Sequence, residues 1–510
     1  MELFSLEIPF LYLLLLLPLA GTVLSALTRK NQKNAKYVAI ITSAATLAVA
    51  LLYTYALSGT SYVDSDGFAW IDTAAIKISF ALGVDGMSVL MVLLTTALVF
   101  LVSIFSSSEK NNASLFFAMI MAMEVGLLGV YMAQDYFLFY IFWEVALVPM
   151  YFLISIWGGP RRHYAAIKFF IYTHVASLIM LIGIFVMAID ASGGGYWVSG
   201  DQMDFGFETI KNYYAFAAVT MFPQAIVFGM LFLGFAVKMP VVPFHTWLPD
   251  AHVEAPTAGS VLLAGVMLKM GSYGIIRIGI ETLPLGAQAW QPAMIVIAII
   301  AIIYGAYACI AQKDLKKMVA FSSISHMGMV LLGIAMLSEL GITFAIFQMF
   351  AHGLITAVLF MVCGICGHNA GTREIPLLGG LAGKMPIFAA FMMFGFMASL
   401  GLPGLVGFVA EFGIIMSFFE YLQTTGALWM IIFALASVLL TAGYYTWAMQ
   451  RTIFGKETDK IDLTHVHDVS RPEGFSLGVL CALIALFGIM PALVLNIIGP
   501  AVDLIVAVLP

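Results

Sequence analysis

Residues 228–252 read FGMLFLGFAVKMPVVPFHTWLPDAH, and the fold turns on this stretch. Its first half is apolar enough for a membrane helix, yet Lys238, Pro240, Pro243 and Pro249 interrupt it. A proline removes a helical donor and frees the carbonyl four residues earlier, here those of Ala236 and Met239. Irregular backbone at membrane depth persists only where protein or water satisfies it. The stretch therefore reads as a broken helix lining a polar path. A second interruption lies in 385–419, a run of 35 residues with Gly401, Pro403, Gly404 and Gly407 at its middle, where Pro403 frees the Ser399 carbonyl.

The surrounding composition makes lipid the solvent. Of 510 residues, 62% are apolar and 10% charged, with a mean hydropathy of +1.03. Soluble domains carry about a quarter charged residues, so a cytosolic enzyme is excluded and membrane lipid is the expected surround. A net charge of -6 with no basic tract excludes nucleic acid as a partner. The four cysteines sit in apolar runs, which suggests neither a disulfide framework nor a thiolate-held cluster, and no metal site is expected. Met1-Glu2-Leu3 puts no basic segment ahead of the first apolar run, so that run is expected to be a retained span.

A window of about 20 apolar residues predicts an all-α polytopic membrane protein of fourteen spans: 8–28, 37–57, 86–106, 113–133, 136–157, 164–189, 223–247, 257–280, 290–312, 318–337, 341–367, 385–419, 427–450 and 476–497. Lys and Arg accumulate in cytoplasmic loops. Seventeen of the 22 basic residues fall in odd-numbered loops and only Lys77 and Lys211 in even-numbered ones, so both termini are expected on the opposite, positive side. The polar loops 58–85 and 190–222 then lie on that side, as short hairpins or surface helices.

The broken spans are the seventh and the twelfth. Five is odd, so a tandem copy of five spans must insert upside down, as in many transporters. Spans 4–8 and 9–13 are thus expected to be inverted repeats. The corresponding units are 1–112 for the first three spans, 113–285 and 286–451 for the repeats, and 452–510 for a loop, span fourteen and a short tail.

Glu124, Glu144, Lys238, Lys269 and Glu411 all fall inside spans, where each ionised group costs about 2.5 to 3.5 kcal/mol on insertion scales. One such group reads as half of an ion pair that fixes helix register. Five of them around two broken helices read as a proton or ion relay. Lys238 lies beside the Pro240 break, with Glu144 as its expected partner. Imidazoles of His245, His326 and His352 could bridge these groups, with Ser322, Ser323, Ser325 and Thr356 holding water nearby. Arg277 is a further intramembrane cation.

The stretches FWEVALVPMYFLI (142–154), KMPVVPFHTWLPDAHVEAPTAGSVLLAGVMLKMGSYGIIRI (238–278), DLKKMVAFSSISHMGMVLLGI (314–334) and QMFAHGLITAVLF (348–360) resemble the antiporter-like subunits of respiratory complex I. Leu82-Gly83-Val84-Asp85-Gly86 adds to the likeness, which is nearest to the M subunits, counterparts of mitochondrial NADH dehydrogenase subunit 4. The larger antiporter-like paralogue carries a long lateral helix, for which the residues after span fourteen leave no room. The resemblance implies one proton channel in the chain. Glu144 and Lys238 match its inlet half, Lys269 its centre, His326 and His352 the onward link, and Glu411 its outlet acid; Glu124, His245 and Arg277 stand in or beside the path. It implies no cofactor in this chain, with FMN, iron–sulfur clusters and quinone held by partner subunits, and neighbouring antiporter-like subunits among the partners. Alternatives within the same likeness are a subunit of a multi-chain sodium/proton antiporter, or the same pump fed by reduced deazaflavin, ferredoxin or hydrogen.

Overall fold

A computed structural model describes residues 10–57, 67–192, 202–216, 220, 222–457 and 466–509. The chain is a nearly all-helical polytopic membrane protein, and thirteen of its described helices are long and apolar enough to cross a bilayer. In chain order the first six helices are α1 (Phe10–Leu27), α2 (Ala35–Leu57), α3 (Gly86–Phe105), α4 (Ala113–Met132), α5 (Tyr136–Trp157) and α6 (Arg162–Ala191). A surface helix α7 (Phe207–Phe216) precedes α8 (Gln224–Lys238), α9 (Trp247–Glu254) and α10 (Thr257–Ile280). The second half holds α11 (Pro284–Ile310), α12 (Leu315–Ala335), α13 (Glu339–Asn369), α14 (Pro386–Ser399), α15 (Val406–Thr425), α16 (Ile431–Thr452), α17 (Arg471–Ile489) and α18 (Ala492–Val506).

Helix starts follow local capping chemistry. The side chains of Asp85, Asp135, Asp314 and Ser338 accept backbone N–H groups of the first turns of α3, α5, α12 and α13, at 2.9 to 3.2 Å. Pro284 at the first turn of α11 sets that start six residues ahead of the expected 290. At the other end, the helix expected over 476–497 stops at Ile489, and Pro491 turns the chain into the separate apolar helix α18. The expected short tail is thus a helix, packed so closely on α3 that a Cβ at Gly86 would lie 1.9 Å from the Ile497 carbonyl oxygen.

Both expected breaks are present. The seventh run is fifteen helical residues ending at Lys238, eight irregular residues, then α9. The Val241 N–H takes the Ala236 carbonyl at 3.1 Å and Trp247 Nε1 takes that of Val237 at 3.0 Å, which satisfies the interrupted ladder from within. The twelfth run divides into α14 and α15 around Gly401 and Gly404, whose φ angles of 79° and 90° suit glycine. Helix α10 is unbroken but widens into π-helical turns over Leu263–Met267 and Ile275–Ile280. With α12 and α13 it is enclosed almost all round, whereas α1, α2, α16 and α17 turn most of their surface outward.

The described parts of the two polar loops form one small cap; residues 58–66, 193–201, 217–219 and 221 of those loops lie outside the described residues. Strands β1 (Phe68–Asp72) and β2 (Ile76–Phe80) pair antiparallel, and β3 (Met203–Asp204) adds in parallel to β2. The carboxylate of Asp135 ties β2 to the start of α5 by accepting Ser79 N–H at 2.9 Å.

Glycine lets α10 approach the α8 break. A Cβ at Gly271 would lie 2.6 Å from the Phe235 carbonyl oxygen and 2.7 Å from Met239 N. Gly271→Ala should therefore lower stability by about 1 to 3 kcal/mol, seen as a lower thermal midpoint of the detergent-purified protein; an unchanged midpoint would refute this packing.

Candidate functional site

Four buried ionisable side chains from four helices form a nearly continuous row. The Lys269 ammonium, in the α-helical stretch between the two π turns, donates to the Ala264 carbonyl freed in the first π turn. It also lies 2.7 Å from His352 Nδ1 on α13. The rings of His352 and His326 are 5.6 Å apart. His326, on α12, holds Glu411 Oε1 of α15 at 3.0 Å through Nδ1. Glu411 lies over the break, where a Cβ on Gly401 would be 3.2 Å from its second oxygen. Because the break removes side chain at Gly401, the carboxylate can sit against backbone.

The inlet residues are arranged differently from expectation. Glu144 and Lys238 make no ion pair. The Glu144 carboxylate is held by His174 Nδ1 at 2.7 Å and by the Ser177 hydroxyl, both from α6. Glu144 and His174 keep 21% and 37% of their side-chain surface open, so this pair lies at the outer face of the bundle. Lys238 is buried, and its ammonium has no hydrogen-bond partner among the described residues. It faces the rings of Trp143 at 5.4 Å and Phe169 at 5.8 Å, a cation–π seat. Trp143, whose ring faces the Lys238 ammonium, is the residue before Glu144 on α5.

The secondary candidates separate from the row. Glu124 on α4 is fully buried, and neither carboxylate oxygen has a hydrogen-bond partner among the described residues. His245, in the α8–α9 break, packs edge-on to Tyr304 of α11 at 4.9 Å. Arg277 belongs to a different cluster. Its guanidinium binds Asp85 and reaches Glu281 at 2.9 Å, and Glu281 in turn binds Lys211 of α7. These four charges line a cavity of about 650 Å³ together with residues of α18.

Four side chains escaped the sequence reading. His174 and Ser177, three apart on α6, have the spacing that places two polar groups on one helix face, and that signal was available. Lys316 reads as part of a basic loop, yet α12 starts at Leu315 and buries it, with Nζ 2.5 Å from the Ala255 carbonyl oxygen. Tyr445 of α16 reads as an ordinary aromatic, yet its buried hydroxyl joins Ser399 at 2.8 Å and Ser322 at 3.0 Å.

The family described as NADH:quinone oxidoreductase/Mrp antiporter, TM matches residues 133–441, from the start of α5 to the middle of α16. The chain belongs to this family. It is 40% identical over 498 residues to F(420)H(2) dehydrogenase subunit M of Methanosarcina mazei, with 96% of each chain covered. It is 38% identical over 495 residues to NADH-quinone oxidoreductase subunit M of Rhodobacter capsulatus, covering 95% of this chain and 94% of the relative. Among solved structures it resembles a chain of respiratory complex I from Thermus thermophilus with bound NADH, at a TM-score of 0.85 and 27% identity, covering 98% of this chain and all of that one. The resemblance read from the sequence motifs is thereby borne out.

The Asp85 cluster makes a prediction in pH. Burial pushes the Asp85 carboxyl up, but Arg277 and the Ser88 N–H together pull it below the usual carboxylate range. A depressed acid stabilises the fold fully above its unfolded value of about 3.9 and loses that contribution as pH falls through the lower folded value. Asp85→Asn should cost about 3 kcal/mol at neutral pH and shrink the acid-induced loss below about pH 4. Thermal midpoints of both proteins across that range measure it; parallel curves would contradict the assignment.

Proposed function

We propose that this chain is the proton-translocating M subunit in the membrane arm of a complex I-type quinone oxidoreductase. It moves protons while partner subunits, which hold the FMN, iron–sulfur clusters and quinone site, carry out the redox chemistry. The observation that carries this reading is the buried row Lys269–His352–His326–Glu411, with contacts of 2.7 and 3.0 Å at its ends. Groups that both bind and release protons, enclosed in a membrane bundle, suit a relay and little else.

On this reading Glu144 alternates between His174 and Lys238. An ammonium left without an acceptor in a poor dielectric is costly, and passing its proton onward removes the charge. The proton goes by water to Lys269, across His352 and His326 to Glu411, and leaves on the positive side. Residues 113–285 and 286–451 act as the two inverted halves of the channel. Both termini face the positive side of an energy-coupling bacterial or archaeal inner membrane. The exposed Glu144–His174 face is where a neighbouring antiporter-like subunit adjoins and passes on the electrostatic disturbance set off by quinone reduction.

Two electron donors remain in play, since relatives named for F(420)H(2) and for NADH are 40% and 38% identical to the chain. NADH is the first reading and reduced deazaflavin the second. Oxidation of each donor by the purified complex, with its partner chains identified by mass spectrometry, separates the two; transport independent of any electron donor would point instead to a sodium/proton antiporter. In sealed vesicles, Lys238→Ala and Glu144→Ala should each lower the protons moved per electron pair while the complex still assembles. Full translocation in both variants would contradict the path.

A further inference from the structure

His326 uses both ring nitrogens. Nδ1 meets Glu411, and Nε2 lies 3.2 Å from Ser399 Oγ. Ser399 Oγ lies 2.8 Å from the Tyr445 hydroxyl, Tyr445 donates to Ser322 Oγ at 3.0 Å, and Ser322 donates to the Val319 carbonyl oxygen at 2.8 Å. All four side chains are buried. A hydroxyl has one proton to donate, so the chain can be followed from its far end. The carbonyl can only accept, so Ser322 gives its proton there. Tyr445 then gives its own proton to Ser322, and Ser399 must give its proton to Tyr445. Ser399 is left with lone pairs toward His326, and Nε2 has to carry the hydrogen. Reversing every bond would strip the Val319 carbonyl of the Ser322 donor.

We propose that Ser399, Tyr445 and Ser322 are positioning residues that lock the His326 hydrogen on Nε2, so that His326 takes up and releases protons through Nδ1 alone. The lock rests on the proton path proposed above and adds a direction to it. When His326, charged by a proton taken up on Nδ1 from the His352 side, passes that proton to Glu411, the imidazolium and carboxylate become a neutral imidazole and a carboxylic acid. In neither state is the Nε2 hydrogen given up. The hydroxyl row ends on a carbonyl that cannot be protonated at working pH, so it is a blind branch. Protons coming from His352 are confined to the Nδ1 side, where Glu411 waits. Without the lock, Ser399 could turn its hydrogen toward Nε2, and a neutral histidine protonated on Nδ1 would appear.

Two variants remove the lock without touching His326. Tyr445→Phe deletes the middle hydroxyl and keeps the ring, and Ser322→Ala frees Tyr445 to donate toward Ser399. The complex is labelled with ring-nitrogen isotopes in histidine, and the His326 signal is identified by its loss in His326→Gln. The wild type should show no His326 population with a bare Nε2, whereas both variants should show one. Protons moved per electron pair should fall in both variants, by less than in His326→Gln. A bare Nε2 in the wild type, or none in either variant, would overturn the lock. If His326→Gln leaves the proton yield unchanged, the path itself fails; if it lowers the yield while the two hydroxyl variants match the wild type, only the lock fails.

Discussion

An ionised side chain cannot be left alone in hydrocarbon, and this constraint organises the molecule. Each buried charge forces a local solution from the surrounding backbone or side chains. For Lys269 the solution is a π turn that offers a carbonyl, together with a histidine from the next helix. For Glu411 it is a broken helix whose glycine clears space beside the carboxylate. For Lys238 it is an aromatic box, reinforced by its place in the last turn of α8, where the helix dipole favours a cation. The irregularities of the fold therefore coincide with its ionisable groups. Proline and glycine at those places are the means by which a mostly regular bundle accommodates them.

The same constraint decides which helices are interior. Helices α10, α12 and α13 carry Lys269, His326 and His352, and they are also the helices with almost no outward surface. Around them, helices such as α1, α2 and α17 turn apolar side chains outward, which need no such compensation. At Glu144 and His174 a titratable pair held between two apolar helices opens to the outside of the chain. A carboxylate and an imidazole facing hydrocarbon would be costly, which is the physical ground for the protein contact proposed at this face.

Much of this was legible from residues. The interrupted run 228–252 gave a broken helix at the right place because prolines act locally, through the one donor each removes. Lys269, His326, His352 and Glu411 stood out because charge inside a long apolar run is conspicuous, and the structure brings them into one row. The pairing of Glu144 was misread. Its partner was chosen for charge, as Lys238, whereas geometry gave it His174 and Ser177 on the adjacent α6. Lys316 and Tyr445 were invisible for a different reason. One begins a helix directly after a basic turn, and the other is one of 20 tyrosines, so burial, which composition does not encode, decides the part each plays. The turn at Pro491 was overlooked because apolar residues continue across it without a change in hydropathy.

The row Asp85–Arg277–Glu281–Lys211 alternates in sign and sums to zero. The field of such a string decays with distance far faster than that of a lone charge, because each member cancels its neighbour. The ends of α3 and α10 can thus be fastened to a surface helix by strong local forces, while a proton deep in the bundle feels almost nothing of the rivet that holds its roof in place.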